Sequence, residues 1–204
     1  SCECECISLL LYLNKDFIEN MIIIGITGTI GAGKGTIVDY LLNELNFKHF
    51  SVRSFLTNEI ERRGLTINRD NMVLIANELR AKYSPAYIIE QLYNQAATCG
   101  ENCVIESIRT LGEIELLRTK SNFSLLAVDA DPIIRYERIH QRQSETDNIS
   151  FEEFLSNEKR EMISSDPNKQ NLSVCIENAD YQLMNNGDLN GLYLQLKKIL
   201  EEII

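Results

Sequence analysis

The chain has 204 residues, of which 44 % are apolar and 25 % are charged, and its formal net charge is −10. This length and balance fit one globular domain, or one domain with small lids, with enough apolar mass for a core. An acidic chain is repelled by nucleic-acid phosphates at long range, so general DNA or RNA binding is not expected.

Residues 1–20 precede the first strong strand signal. They lack the basic start and small-residue cleavage site of a signal peptide, and no stretch of the chain approaches the length of a membrane span. We interpret them as a poorly structured upstream extension, with Met21 as the natural start and residues 21–204 as the domain.

Six cysteines occur without any C-x-x-C pair. This usage favours reduced thiols in a cytoplasmic protein over a disulfide framework. A metal site at Cys2, Cys4 and Cys6 is the alternative, but no fourth ligand follows at zinc-site spacing.

Short apolar runs alternate along the chain with segments of helical periodicity. Strands are predicted at residues 21–27, 47–51, 102–106, 123–129 and 181–184. The predicted helices are one carrying Ile37, Leu41 and Leu45, those at 55–63, 70–82 and 189–204, and three that begin near residues 84, 131 and 150. This alternation implies a parallel sheet covered by helices on both faces.

Two dipeptides predict helix starts in the same way. In Ser84-Pro85 and Asp131-Pro132 the first residue is a good N-cap and proline suits the first turn. The polar stretch 143–150 is the best candidate for a mobile lid.

The segment GTIGAGKGT at residues 28–36 lies between the first predicted strand and a helix. Glycines let such a loop turn tightly and bring its N–H groups to phosphate oxygens, and the helix N-terminus adds partial positive charge. Lysine adds a full charge for the outer phosphates. The residues expected to bind ATP here are Gly28, Gly31, Ala32, Gly33, Lys34, Gly35 and Thr36.

The G-x-x-G-x-G-K-G-T form resembles the loop of adenylate kinase and related nucleoside-monophosphate kinases, and later segments resemble dephospho-CoA kinases. The closest resemblance is to the kinase-like domain that precedes the zinc domain in some deoxycytidylate deaminases, although the deaminase zinc signature is absent. The resemblance implies a three-layer α/β P-loop NTPase fold. It would have a five-stranded parallel sheet, helices on both faces and a short helical lid at about residues 132–165.

Arg135, Arg138 and Arg142 step by three and four residues, which places them on one helix face. A triphosphate would neutralise these three like charges. The alternative is a solvated face whose charges pair with Glu137 and Glu145. The resemblance matches Arg138 and Arg142 to lid arginines that act in phosphate transfer, and Arg138 also to an ATP contact.

Three further positions are candidates for the metal and the acceptor. Glu106 ends a predicted strand, where a carboxylate can hold Mg²⁺ through water; an ordinary strand-end acid is the alternative. Thr36 supplies the nearest hydroxyl for the metal, because a glycine stands directly after the loop lysine. Arg109 is suited to grip the phosphate of an acceptor. The resemblance places Asn186 and Gly187 in an adenine-side loop.

The segment 51–57 departs from the family pattern. Related kinases often carry an aspartate and an arginine there, and these positions hold Ser54 and Thr57, with Arg53 nearby. The primary expectation is an enzyme that uses ATP and Mg²⁺ to phosphorylate a nucleoside or deoxynucleoside monophosphate, with Lys34, Arg109, Arg138 and Arg142 as catalytic groups. The alternatives are a kinase of dephospho-CoA or another small metabolite, and a nucleotide sensor with little turnover. Small nucleotides are the expected partners, without nucleic acid or membrane.

Overall fold

The computed structural model describes residues 20–120, 122–142 and 149–204. Its five strands form one sheet in the order β2-β3-β1-β4-β5, and every neighbouring pair is parallel. The strands are β1 (Ile23–Gly28), β2 (Lys48–Ser51), β3 (Cys103–Glu106), β4 (Phe123–Asp129) and β5 (Tyr181–Met184). The predicted five-stranded parallel sheet is therefore confirmed.

Nine helices lie within the described residues. They are α1 (Lys34–Leu45), α2 (Val52–Arg62), α3 (Arg69–Lys82), α4 (Tyr87–Cys99), α5 (Leu111–Arg118), α6 (Pro132–Arg142), α7 (Phe151–Met162), α8 (Leu172–Glu177) and α9 (Leu189–Ile203).

The central strand β1 is buried along its whole length, which explains its continuous apolar sequence. Its side chains alternate between two faces of the sheet. Ile23 belongs to one apolar cluster, which includes residues of α2, α3, α4 and α5, whereas Ile24 and Ile26 belong to a second cluster with residues of α1 and α9. Two cores on opposite faces of one sheet give the predicted three layers.

The predicted helix starts at the two X-Pro dipeptides have different outcomes. Asp131-Pro132 opens α6, and the backbone N–H of Ile133 donates to Asp131 Oδ1 at 2.9 Å. The start at Ser84-Pro85 is wrong, because α4 begins at Tyr87 after a turn. In that turn the Pro85 carbonyl accepts a 3.1 Å hydrogen bond from Thr110, which ties the dipeptide to the start of α5.

The predicted lid region contains α6 and α7, while the polar residues 143–148 between them lie outside the described residues. Residues 1–19, with Cys2, Cys4 and Cys6, also lie outside them. None of the helices that the structure describes is long and apolar enough to cross a membrane.

Candidate active site

The carboxyl ends of the five parallel strands meet at one edge of the sheet, and the glycine-rich loop follows β1 at that edge. Gly28 and Gly31 have φ angles of +133° and +78°. A Cβ atom would approach the Val128 carbonyl oxygen to 2.0 Å at Gly28 and the Arg135 carbonyl oxygen to 2.5 Å at Gly31. The loop path therefore requires glycine at both positions.

Lys34 is half-buried in this loop. Its Nζ donates to the carbonyl oxygens of Gly28 at 2.9 Å and of Thr29 at 2.7 Å. Burial, and then repulsion from Arg109, lower the pKa of Lys34 to about 7, although Glu106 raises it. These surroundings therefore disfavour the ammonium charge, which a bound phosphate would stabilise.

Asn185, at the carboxyl end of β5, supports the loop from the side. Its Nδ2 donates to the Ala32 carbonyl oxygen at 2.8 Å, and its Oδ1 accepts from Arg138 Nη2 at 3.4 Å. The residue is 7 % exposed. Asn185 thus positions both the loop and Arg138. Its place directly before Asn186 and Gly187, which are predicted to lie near adenine, could have indicated this role.

Next to the loop lies a cavity of about 650 Å³, a size typical of small-molecule sites. It is also lined by Arg53, Leu56 and Met72 of the α2–α3 region and by Arg69, Arg80 and Glu161. The predicted site residues that line it are Gly31, Gly33, Lys34, Gly35, Thr36, Glu106, Arg109, Arg138 and Arg142.

Four predicted residues are not among those lining the cavity: Gly28, Ala32, Asn186 and Gly187. The Gly28 carbonyl oxygen accepts from Lys34, and the Ala32 carbonyl oxygen accepts from Asn185, so both residues help to fix the loop. Asn186 accepts a 2.7 Å hydrogen bond from the backbone of Asp131. A contact of Asn186 or Gly187 with adenine stays a prediction.

The cavity is strongly cationic although the chain is acidic. Among the described residues its lining has seven cationic side chains and three anionic ones, Asp39, Glu106 and Glu161. The cationic lining residues are Lys34, Arg53, Arg69, Arg80, Arg109, Arg138 and Arg142. Because basic side chains outnumber acidic ones in this lining, the cavity is suited to a phosphate-rich ligand.

Glu106 lies at the end of β3, with a 3.1 Å hydrogen bond from Ser51 and His49 Nε2 at 3.5 Å from its Oε1. Burial alone would raise the pKa of Glu106, but these two contacts and the charge of Lys34 lower it below its usual value. An ionised carboxylate and the Thr36 hydroxyl therefore line the same cavity. This pair fits Mg²⁺, which takes few protein ligands and completes its shell with water and substrate phosphates.

On the side of the cavity that carries Arg109, the carboxylate of Glu161 lies between two arginines. Its Oε2 accepts from Arg109 Nη1 at 2.7 Å, and its Oε1 accepts from Arg69 Nη2. Burial would raise the pKa of Glu161, but the two guanidinium groups lower it. Sequence reasoning missed Arg69 and Glu161, because they lie 92 positions apart and belong to no local motif.

Arg80 is the buried member of the cavity lining near Arg109 and Glu161. The side chain is 1 % exposed, and its Nε and Nη2 donate to Glu113 Oε1 at 3.0 and 2.8 Å. Glu113 also accepts from the backbone N–H of Arg109 at 2.7 Å. The pair therefore fixes the segment that carries the predicted acceptor arginine.

Arg135 separates from the other two arginines of α6. It is 3 % exposed, its Nε donates to the Ala130 carbonyl oxygen at 2.7 Å, and its Nη2 lies 2.8 Å from Glu158 on α7. Arg138 and Arg142 line the cavity, and Arg135 does not. Arg135 is therefore a structural link between α6 and α7. The prediction that it shares a phosphate-binding face with Arg138 and Arg142 is wrong.

A family model described as an AAA domain matches residues 24–164. The chain belongs to this AAA domain family. The family is P-loop and kinase-like, as the loop resemblance predicts. The further resemblance to domains fused to deaminases stays a prediction.

Relatives of this AAA-domain chain include UPF0200 proteins of two archaea. Those of Methanococcus maripaludis and Methanocaldococcus jannaschii are 28 % and 29 % identical over 187 and 192 residues. Each alignment covers 90 % of this chain, with 98 % and 91 % of the relative.

Solved structures share the fold. A protein from Thermus thermophilus aligns with a TM-score of 0.61 and 22 % identity, covering 90 % of this chain and 98 % of its own. Shikimate kinase from Bacteroides thetaiotaomicron aligns with a TM-score of 0.54 and 16 % identity, covering 89 % and 98 %. The architecture is that of P-loop kinases, including shikimate and sugar kinases.

Proposed function

We propose that this AAA-domain protein transfers the terminal phosphate of ATP to a nucleoside or deoxynucleoside monophosphate. One observation carries the proposal: the loop lysine Lys34 and the acceptor-side Arg109 line a single cationic cavity. Two phosphate-bearing ligands can meet there with their charges neutralised, which is what phosphate transfer requires.

Each group has a role that follows from its place. Lys34 and the loop N–H groups bind the outer phosphates of ATP, and Arg138 and Arg142 neutralise the charge that moves during transfer. Arg109 holds the acceptor phosphate. Thr36 and Glu106 would hold Mg²⁺, which would supply further charge neutralisation when bound. An oxygen of the acceptor phosphate attacks the terminal phosphorus of ATP in line while the bond from that phosphorus to ADP breaks and ADP leaves, so no side chain becomes a covalent nucleophile.

A monophosphate acceptor suits the site better than an alcohol. Dephospho-CoA and sugars attack through a hydroxyl group, which must lose a proton to a base. Residues 51–57, where related kinases often carry an aspartate, contain no carboxylate. A phosphate acceptor is already an anion and needs charge clamps more than a base.

The test is a coupled assay of ADP release from ATP and Mg²⁺ with a panel of nucleoside and deoxynucleoside monophosphates, dephospho-CoA and shikimate. At least one monophosphate should be turned over. Arg109→Ala should raise the KM for that acceptor and leave ATP affinity nearly unchanged. Turnover of dephospho-CoA or shikimate alone would show that the acceptor class is wrong.

A nucleotide sensor with little turnover is the second candidate. It is favoured because Ser54 and Thr57 replace the expected aspartate and arginine, and neither is among the residues that line the cavity. Tight ATP binding without ADP release for any member of the panel would establish this alternative over the enzyme.

A further inference from the structure

The acceptor side of the cavity already contains an anion that belongs to the protein. Glu161, near the end of α7, has a side chain that is 7 % exposed. One of its carboxylate oxygens accepts a hydrogen bond from Arg109, and the other accepts one from Arg69. Two guanidinium groups that grip the two oxygens of one anion are arranged as they would be around a phosphate group.

This carboxylate leaves the arginines incompletely satisfied. One monoanion faces two cations. In addition, Arg69 Nε and Arg80 Nη1 are buried and have no hydrogen-bond partner among the described residues. Both arginines line the same cavity. A buried donor without a partner costs free energy, and an anion with more charge and more acceptor oxygens would remove that cost.

We propose that Glu161 is a built-in competitor, which occupies the acceptor-phosphate site formed by Arg69 and Arg109 and is displaced when a dianionic phosphate binds. Assigning this site to the acceptor rests on the proposed function. The competition itself does not require turnover, since it concerns only which anion the two arginines hold.

The competition selects for charge. A monocarboxylate ligand exchanges one monoanion for another and gains little, whereas a phosphate monoester brings a second negative charge to the two cations. Displacement also frees α7 from one of its links to the cavity, while the Arg135–Glu158 link remains. Glu161 thereby connects occupation of the acceptor site to the predicted lid region.

The test is calorimetric titration of inorganic phosphate into full-length proteins that all carry Lys34→Ala, which removes the loop's main phosphate contact. Adding Glu161→Gln removes the competing charge, so phosphate should bind at least about tenfold more tightly. The matched control is Glu158→Gln, which alters another arginine-paired acid of α7 that does not line the cavity. It should leave phosphate affinity unchanged. Acetate, which brings only one negative charge, should bind the Glu161→Gln protein more weakly than phosphate does.

A thermal measurement guards against loss of folding, because Glu161→Gln leaves two arginines without their carboxylate. Phosphate should raise the melting temperature of the Glu161→Gln protein more than that of the Glu158→Gln protein, and Arg109→Ala should abolish the difference. Equal phosphate responses of the two glutamine variants would overturn the competitor role. Absence of kinase turnover with a retained phosphate gain would instead refute the proposed function and leave the competitor role standing.

Discussion

Lys34 links the chemistry of the loop to pH. In the unliganded protein, burial and Arg109 lower its pKa to about 7, so near neutral pH much of the lysine is uncharged. Bound phosphate stabilises the ammonium form and raises the pKa again. Binding of ATP above pH 7 should therefore take up a proton, and ATP affinity should fall by up to about tenfold per pH unit as the pH rises further.

Calorimetry in buffers with different ionisation enthalpies measures this proton uptake directly. Lys34→Arg is the matched control, because arginine stays charged across the range and removes the lysine contribution while ATP's own titration remains. The same proton uptake in both proteins would show that Lys34 is charged before ATP binds.

The arginines of α6 should divide into functional and structural residues. Arg138→Ala and Arg142→Ala remove groups that line the cavity, so they should lower turnover far more than they lower the free energy of unfolding. Arg135→Ala leaves Glu158 without its partner and should cost about 3 kcal/mol or more. Chemical denaturation and steady-state kinetics on the three variants separate the roles; matching stability losses in all three would make every one of them structural.

Sequence could identify single residues only where a local pattern carries them. Lys34 and Thr36 stand in a contiguous loop motif, and Arg109 follows a strand end. Arg69 and Glu161 meet across the cavity from distant helices, and their charges look like ordinary surface residues in the sequence. Only the folded chain shows that they are one site.

At the scale of helices and strands, all five strands were predicted. The apolar runs of β1, β3 and β4 reflect strands that the sheet largely buries, whereas the edge strands β2 and β5 keep several residues exposed. The short helices α5 and α8 were missed, since eight and six residues hold too few turns for a periodic pattern. The error at Ser84-Pro85 has a tertiary cause. Its turn is fixed by a contact with Thr110, which local capping rules do not include.

The missed helix α5 is held by a buried acid. Glu113 completes a capping box with Thr110 and pairs with Arg80, which is 1 % exposed. Glu113→Gln would leave the buried Arg80 charge uncompensated, so the free energy of unfolding should fall by about 3–5 kcal/mol.

Urea denaturation measures this loss. Glu101→Gln is the control, because its ion pair with Lys48 is about half exposed and should contribute less than about 1 kcal/mol. Similar losses in the two variants would mean that the Arg80–Glu113 pair contributes no more than a surface pair.

Over the whole molecule, negative charge is in excess, whereas positive side chains are concentrated in the cavity. The chain carries a net charge of −10, yet seven of its cationic side chains, counted within the described residues, line one cavity of about 650 Å³. The loop motif predicted where this cavity lies, because the carboxyl ends of parallel strands share an edge. Its full set of charges depends on residues from many separate elements, which no single segment reveals.

This division predicts a discrimination between mononucleotides and nucleic acid. A mononucleotide can place its phosphates among the cationic groups of the cavity. A polynucleotide would bring many phosphates against the acidic exterior and pay repulsion along its length. A fluorescent ATP analogue should therefore be displaced by ATP, but not by a single-stranded oligonucleotide without a terminal phosphate, even at about 50 mM salt, where nucleic-acid binding is favoured. Raising the salt to about 200 mM should weaken ATP binding, because the attraction is electrostatic. Displacement by the oligonucleotide with a steep salt dependence would show instead that the cationic residues are open to a polymeric strand.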